Sequence, residues 1–563
     1  MQHRPHCVRT SLIQCLCTLL IVAAAALAQA AELPPFDLVI RGGQIVDGTG
    51  NPWSRGDLAI EGNRIVSVGT RLPAGSGRRE IDARGLVVAP GFIDMHSHSD
   101  LLLLEDGLAQ SKIRQGVTTE ILGEGNSAGP YPSLAKERPR DRTSTKFATL
   151  GEYFETLGQN GTSVNVASYV GLDNLWQDAM GSSFERPTVA QFSQMQTLLG
   201  QAMGDGALGL SSMLAMPPGS LLTTDDLVEL CKVVAEHDGI FSTHNRHEGT
   251  NVIASVKEAI EIGERARVPV DVIHLKIADQ QLWGRMNELV TLIEAARKRG
   301  VNVQANVYPY TRGNNNLASI IPPWAHEGGS AKLVERLKDA SLRPRLKRDI
   351  RDGLPGWYNH FTAVGGDWSR MLISGKGGYE GLTLDRVIAS RTSDKNADSL
   401  DVLFDLLIDH GGSIPTVYAH HTEADMILAM KQSWCSIGSD GSAFSIDGPL
   451  RRGNPHPRNF GTFPRVLGIY VRETGLLGLE DAIRKMTSLN AAKVGLSHRG
   501  LLAPNYFADI TLFDPQRVID KSTYTEPFQY PEGIHTVIVN GEVVLDNGQR
   551  TAVKPGRMLR HGK

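Results

Sequence analysis

Between about residues 91 and 499 a short apolar stretch gives way, again and again, to a helical pattern of roughly 10 to 15 residues. Eight such strands can be counted, ending near His96, Glu124, Gly171, Leu214, His244, His274, Tyr308 and Asp440. The stretches between them include DDLVELCKVVAEH, NVIASVKEAIEIGERA and NELVTLIEAARKRG, each with apolar residues at helical spacing. Strands that recur with a helix between them pair in parallel and are covered by the helices on the outside. Eight units in about 400 residues fit an α/β fold, a TIM-like (β/α)₈ barrel.

The two ends of the chain follow a different grammar. Residues 31–90 read as short alternating strands broken by Gly and Asn turns (DLVIRGGQIVDG, GDLAIEGNRIVSVG), and the same pattern returns over 500–563 in FADITLFDP and HTVIVNGEVVLDNG. Neither end is large enough to bury a core alone, so one small β-sandwich assembled from both is expected. A stretch at about 311–433, with PPWAHEGG and a basic helix around Lys332 to Arg351, is too long for a plain loop and is read as a lid or subdomain over the barrel mouth.

Residues 1–30 stand apart. Arg4 and Arg9 precede an apolar run from Leu12 to Leu27, and Ala28-Gln29-Ala30 has the small-x-small form of a cleavage site. The run is shorter than the roughly 20 residues a span requires, so export to the periplasm or beyond, with cleavage near Ala30, is expected; a retained anchor is the alternative. Cleavage leaves 56 basic and 61 acidic residues, a net charge of −5 that argues against nucleic acid or anionic lipid as a partner. It also leaves only Cys231 and Cys435, one on the apolar face of a helix and one in a strand; both read as buried small hydrophobes and not as a disulfide.

The unusual polar residues fall at the predicted C-terminal strand ends, the face on which barrel enzymes do chemistry. GFIDM runs into His96-Ser97-His98, and alternation along a strand would put both imidazoles on one side. FSTHNRHEG brings His244, VDVIHLK brings His274 and CSIGSDG brings Asp440. Four imidazoles and a carboxylate on one rim form a zinc-type donor set with room for water. Zinc would activate water at neutral pH, and Asp440 would take the proton and return it to a departing amine. A lone histidine at a strand end is usually structural; the convergence of five groups reverses that expectation.

The segments GFIDMHSHSD, GVTTEILGEG, GALGLSS with PPG, THNRHEG, VIHLK, NVYPY, PPWAHEGG, IGSDG and HPRNFGTFPRVLG resemble the N-acyl-D-amino-acid deacylases (D-aminoacylases) of the amidohydrolase superfamily, in order, from about Asp37 to Val543. The resemblance implies one or two zinc ions held by His96, His98, His244 and His274, with Asp440 as ligand and general acid/base. It implies Lys276 as partner of a substrate carboxylate, Tyr308 as a contact to substrate or to the scissile carbonyl, and Arg458 as a further carboxylate contact. The substrate so implied is a small molecule with a free carboxylate: an N-acyl-D-amino acid, or a dipeptide with a D-residue at its C-terminus.

Three positions depart from the family pattern. Its bridging cysteine after strand two is replaced by Gly123-Glu124-Gly125-Asn126, which makes Glu124 the available bridging donor; GALGLSSML offers no lysine for the carboxylated-lysine alternative. Met216 stands for a tyrosine before the PPG element, and Asn306 for an aspartate before YPY, changes that bear on substrate preference. Arg246 and Glu248 are expected to orient groups around His244 by hydrogen bonding. His420-His421 lies away from a predicted strand end. Two further readings remain at this level: a cyclic amidase or deaminase using the same metal, and a non-catalytic binding protein on the same barrel.

Overall fold

The computed structural model describes residues 35–133, 146–394 and 396–562; the leader read in residues 1–30 lies outside them. Eight parallel strands form the central body: Phe92–Asp94, Val117–Leu122, Asn165–Ser168 with its continuation Val170–Gly171, Gly209–Met213, Ile240–His244, Val270–Val272, Val303–Val307 and Cys435–Ile437. Each pairs in parallel with its neighbour. The ring closes just beyond the strand ends, where the Asp440 N–H donates to the His96 carbonyl at 2.8 Å and the His98 N–H to the Gly441 carbonyl at 2.9 Å. Helices cover the outside as their periodicity requires; Val252–Ala266 buries Val252, Val256, Ala259, Ile260, Gly263 and Ala266, one apolar stripe.

Several strands stop short of the ends read from sequence: the first at Asp94, the sixth at Val272 and the eighth at Ile437. For the sixth and eighth strands the cause is visible in the backbone. His274 (φ 38°) and Asp440 (φ 51°) are left-handed, a conformation that costs a non-glycine residue about 1 to 2 kcal/mol and ends the ladder. Each of these residues is thereby turned into the barrel mouth.

The two chain ends build one continuous nine-stranded sheet, with Val87–Pro90 from the N-terminal part bonded antiparallel to Ile510–Phe513 from the C-terminal part. Its alternation is strict at this seam. Val88, Leu512 and Ile538 turn to a core shared with Leu38, Leu58 and Ile60, while Val87, Ala89, Phe513, Val537 and Val539 turn to the barrel core. The sandwich expected of two β-rich ends is thus a single sheet enclosing one core and resting its other face on the barrel.

Within 311–433, Gly313–Asn316, Pro415–Tyr418 and Met371–Ile373 form a three-stranded antiparallel sheet. Helices pack on it around a separate core that includes Leu317, Leu346, Leu403, Phe404 and Tyr418. Among the described residues no helix is long and apolar enough to cross a membrane. Cys231 and Cys435 are buried and unpaired with each other.

Candidate metal centre

Glu124 sits at the middle of the site because of its glycine neighbours. Gly123 (φ +89°) and Gly125 (φ +61°) bend the chain sharply after the second strand, and a Cβ on Gly123 would stand 2.5 Å from the Tyr169 carbonyl oxygen. The turn delivers the Glu124 carboxylate among all four histidines. Its Oε2 lies 2.6 Å from His96 Nε2 and 3.0 Å from His98 Nε2, and its Oε1 lies 3.4 Å from His244 Nδ1 and 3.7 Å from His274 Nε2. Asp440 Oδ1 completes the first group, 3.0 Å from His98 Nε2 and 3.7 Å from His96 Nε2.

The donor atoms therefore fall into two sets that share Glu124: His96, His98, Glu124 and Asp440, and Glu124, His244 and His274, each within 4.8 Å of one another. All are buried except His98, whose side chain is 37% exposed toward the cavity. His96 Nδ1 and Glu124 Oε1 are buried without a hydrogen-bond partner. A donor set of imidazole nitrogens and carboxylate oxygens, drawn together at such distances, fits one or two divalent cations of the zinc type.

Electrostatics points the same way. Burial disfavours charge on His98, but the Asp440 and Glu124 carboxylates outweigh it and lift its pKa to about 10. His244, also desolvated, is lifted to about 9 by Glu248 and Glu124. His274 is instead lowered to about 4, by burial and the Lys276 ammonium. Burial opposes the ionisation of Glu124, yet the imidazoles of His96, His244 and His98 hold its carboxyl well below the usual range. For Asp440, too, burial is overcome, first by Arg458 and then by His96, and its pKa is lowered. The buried carboxylates demand positive charge, and a metal can replace the protons that otherwise supply it.

Around this centre Glu248 acts as the sequence suggested, with Oε2 3.4 Å from His244 Nε2 and Oε1 3.1 Å from His274 Nδ1. Arg246 ties Glu258 (2.8 Å) to the carbonyls of Ser220 and Leu222, holding the loop that carries both. Asn306 accepts from the His274 N–H at 3.0 Å and donates to Asp271, itself paired with the buried Lys493. The Asp-to-Asn change thus falls on a backbone support of His274.

Lys276 is placed differently from the expectation of a carboxylate-binding cation. Its Nζ is buried against Glu248 (2.6 Å) and His274 Nδ1 (2.7 Å) and does not line the main cavity. The ion pair with the buried Glu248 carboxylate holds the ammonium inward. Arg458 does face the cavity, with NH1 2.6 Å from Asp440 Oδ2 and its guanidinium 4.9 Å from the Tyr308 ring centroid. The Tyr308 hydroxyl is buried and without a hydrogen-bond partner. That cavity, about 580 Å³, opens on His98, Glu124, His244, His274 and Asp440, and the insertion contributes Asn314, Asn315 and Lys376 to its wall.

Two constellations escaped the sequence reading. Below the site, Lys112 Nζ bonds Asp94 (2.7 Å), Ser97 (3.1 Å), Ser439 (3.0 Å) and the Gly441 carbonyl (3.1 Å), with Glu120 at 3.5 Å. The signal was available: Asp94 and Glu120 are charged residues inside apolar strands, and such charges are rarely buried unpaired. Beside the site, rings step from the barrel into the insertion: His247 to Tyr358 (5.1 Å), Tyr358 to His360 (4.4 Å), His360 to Tyr418 (5.0 Å) and Tyr418 to His420 (6.2 Å). His420 and His421 belong to this ladder and to neither ligand set.

A parallel barrel that draws imidazoles and carboxylates from strands one, two, five, six and eight to a common centre is the architecture of the metal-dependent hydrolases. Residues 79–349 and 432–545 match the amidohydrolase family. A D-aminoacylase of Alcaligenes xylosoxydans xylosoxydans is 35% identical over 534 residues, 94% of this chain and 98% of its own. An N-acyl-D-glutamate deacylase of Bordetella bronchiseptica, solved with zinc and a phosphonate inhibitor that mimics the tetrahedral intermediate, superposes with a TM-score of 0.77 at 32% identity, covering 93% of this chain and 99% of that one. A D-aminoacylase studied for one-metal activation and second-metal attenuation of its binuclear centre matches equally (TM-score 0.77, 32% identity, 93% and 100% covered). The chain belongs to the D-aminoacylase branch of the amidohydrolase family.

Proposed function

We propose that this protein hydrolyses the amide bond of N-acyl-D-amino acids, or of dipeptides with a D-residue at the C-terminus, and does so after export with cleavage near Ala30. The observation that carries the reading is the gathering of His96, His98, Glu124, His244, His274 and Asp440 within two overlapping donor sets, in a chain that is similar along nearly its whole length to D-aminoacylases. Zinc, held by these six residues with Glu124 between the two sets, would supply Lewis acidity and lower the pKa of water.

The chain's own residues account for the remainder. Asp440 reaches His98 with one oxygen and Arg458 with the other, which fixes the carboxylate at the edge of the cavity; there it takes the proton of the attacking water and returns it to the leaving amine. Arg458 places a buried cation where a substrate carboxylate would end. Glu248 and Lys276 hold the rings of His244 and His274 in place, and Tyr308, which does not line the main cavity, supports the Arg458 guanidinium with its ring.

The test is Asp440→Asn. Zinc-loaded wild-type protein should hydrolyse N-acetyl-D-amino acids and not their L-enantiomers, and the variant should lose turnover by at least about 10²-fold with an unchanged circular-dichroism spectrum. Activity near wild type in the variant would remove Asp440 from the reaction; absence of D-selective amide hydrolysis in the wild type would remove the reading itself.

A further inference from the structure

Arg458 opens the helix Arg458–Arg465, and Pro457 before it offers no side-chain acceptor to the free N–H groups of the first turn. His456 supplies two acceptors. Its Nδ1 accepts from the Arg458 N–H at 3.0 Å, and its carbonyl accepts from the Asn459 N–H at 3.1 Å. The other ring nitrogen, Nε2, then carries the proton and donates to the Arg312 carbonyl at 2.9 Å. The buried imidazole stands edge-on to Tyr310 and Tyr524, with centroids 5.4 and 5.0 Å away and planes at 89° to both. It reaches the wall of the main cavity. With one nitrogen accepting and the other donating, however, it has neither left for a metal or a substrate.

The two ring bonds join separate parts of the site. Arg312 directly precedes the strand Gly313–Asn316, whose Asn314 and Asn315 belong to the insertion's side of the cavity. At the other end, Arg458 forms its ion pair with Asp440 at 2.6 Å and lies over the Tyr308 ring, and no hydrogen bond fixes its Nε or NH1. The direction of the guanidinium is therefore set by the backbone that carries it, and that backbone hangs on His456. Asn459 of the same turn donates to the His456 carbonyl at 2.6 Å and accepts from the Ser442 N–H at 2.6 Å, two residues beyond Asp440. The carboxylate and its cationic partner are thus both referred to one imidazole.

Resting on the roles given above to Asp440 and Arg458, we propose that His456 is a positioning residue that carries the place of the insertion strand to Arg458, and so sets the guanidinium both against Asp440 and toward the substrate carboxylate. A substrate seated on Asn314 and Asn315 thereby bears on the acid/base group through the Arg312 carbonyl, His456 and Arg458 in turn. Small displacements of a catalytic group are costly, so the tie to the insertion has a kinetic consequence and is more than a helix cap.

Two substitutions separate the bonds. His456→Asn keeps an acceptor for the N–H two residues on, as Asx turns do, but is too short to reach Arg312. His456→Phe keeps a ring between Tyr310 and Tyr524 and loses both bonds. On the N-acetyl-D-amino acid that the zinc-loaded wild type hydrolyses best, both variants should lose at least about tenfold in kcat/KM, with zinc content and circular dichroism as in wild type. The loss should not multiply with that of Arg458→Lys: kcat/KM of His456→Asn/Arg458→Lys should lie within about threefold of Arg458→Lys alone. A His456→Asn protein within about twofold of wild type would leave His456 a helix cap and overturn the proposal. So would a double variant showing the full product of the two losses, or a His456→Asn protein that unfolds or loses its zinc. A wild type that hydrolyses no N-acetyl-D-amino acid would instead remove the amidase reading, and this assignment with it.

Discussion

Replacing Lys112 with methionine keeps the length of a side chain that is wholly buried and removes the one ammonium on which Asp94, Glu120, Ser97, Ser439 and the Gly441 carbonyl converge. With an effective dielectric of about 20, attraction across 2.7 and 3.5 Å is worth roughly 6 and 5 kcal/mol. Most of that is offset by the cost of desolvating the lysine. What remains after its removal is two buried acids without a counter-ion, and breaking a buried pair in this way costs about 3 to 5 kcal/mol. For the roughly 500 described residues the unfolding entropy is near 1 kcal/mol/K, so Tm should fall by about 3 to 5 °C in calorimetry at a fixed scan rate. Activity should fall at least about tenfold as well, because the same ammonium joins the first and eighth strands where His96, His98 and Asp440 emerge. Adding Asp94→Asn should recover part of the loss in Tm. A Lys112→Met protein within 1 °C of wild type and with the same kcat would refute the argument that this ion cluster holds the site together.

Two other outcomes can be stated from the geometry. Glu248→Gln should weaken zinc binding about 10- to 100-fold in chelator competition, because the ring nitrogens of His244 and His274 lose their carboxylate partner; an affinity within twofold of wild type would show that those rings are held otherwise. Burial lowers the pKa values of His247 to about 4 and of His360 and His421 to about 3. The unfolded chain therefore binds protons that the folded one refuses: stability is full above the ordinary histidine pKa of about 6.5 and falls as pH drops below it toward 4, by up to about 4 kcal/mol per pH unit for the three together. Desolvation raises the pKa values of Asp100 and Asp173 to about 7, which acts in the opposite sense, so the check is differential: urea midpoints that fall no more between pH 6.5 and 5 in wild type than in a His247→Gln/His360→Gln/His421→Gln variant would contradict this.

The fold and most of the site were legible because they rest on local regularities. Apolar strands followed by amphipathic helices announced the barrel, and His96, His98, His244, His274 and Asp440 stood out as polar residues where apolar runs stop. Glu124 was readable from the missing cysteine and its flanking glycines. The strand ends were overread by two or three residues, since nothing in the letters marks His274 or Asp440 as left-handed. Lys276 was misdirected for a related reason: its orientation is set by Glu248, 28 positions away in sequence. The Lys112 cluster was signalled only on its acidic side, by Asp94 and Glu120 inside apolar strands; which cation meets them, like the imidazole ladder into the insertion, depends on contacts between distant segments, which no local pattern encodes.

The seam between Val87–Pro90 and Ile510–Phe513 joins residues more than 400 positions apart. During synthesis the strands from Phe36 to Pro90 are made first and must wait, with a paired edge still missing, until Ile510–Phe513 has been made more than 400 residues later. Val87 and Ala89 cannot take their final cover before then, and the barrel's flank beneath them stays uncovered for as long. Removing the last sixty residues would consequently act at the opposite end of the chain, leaving an open sheet edge next to the strand that carries His96.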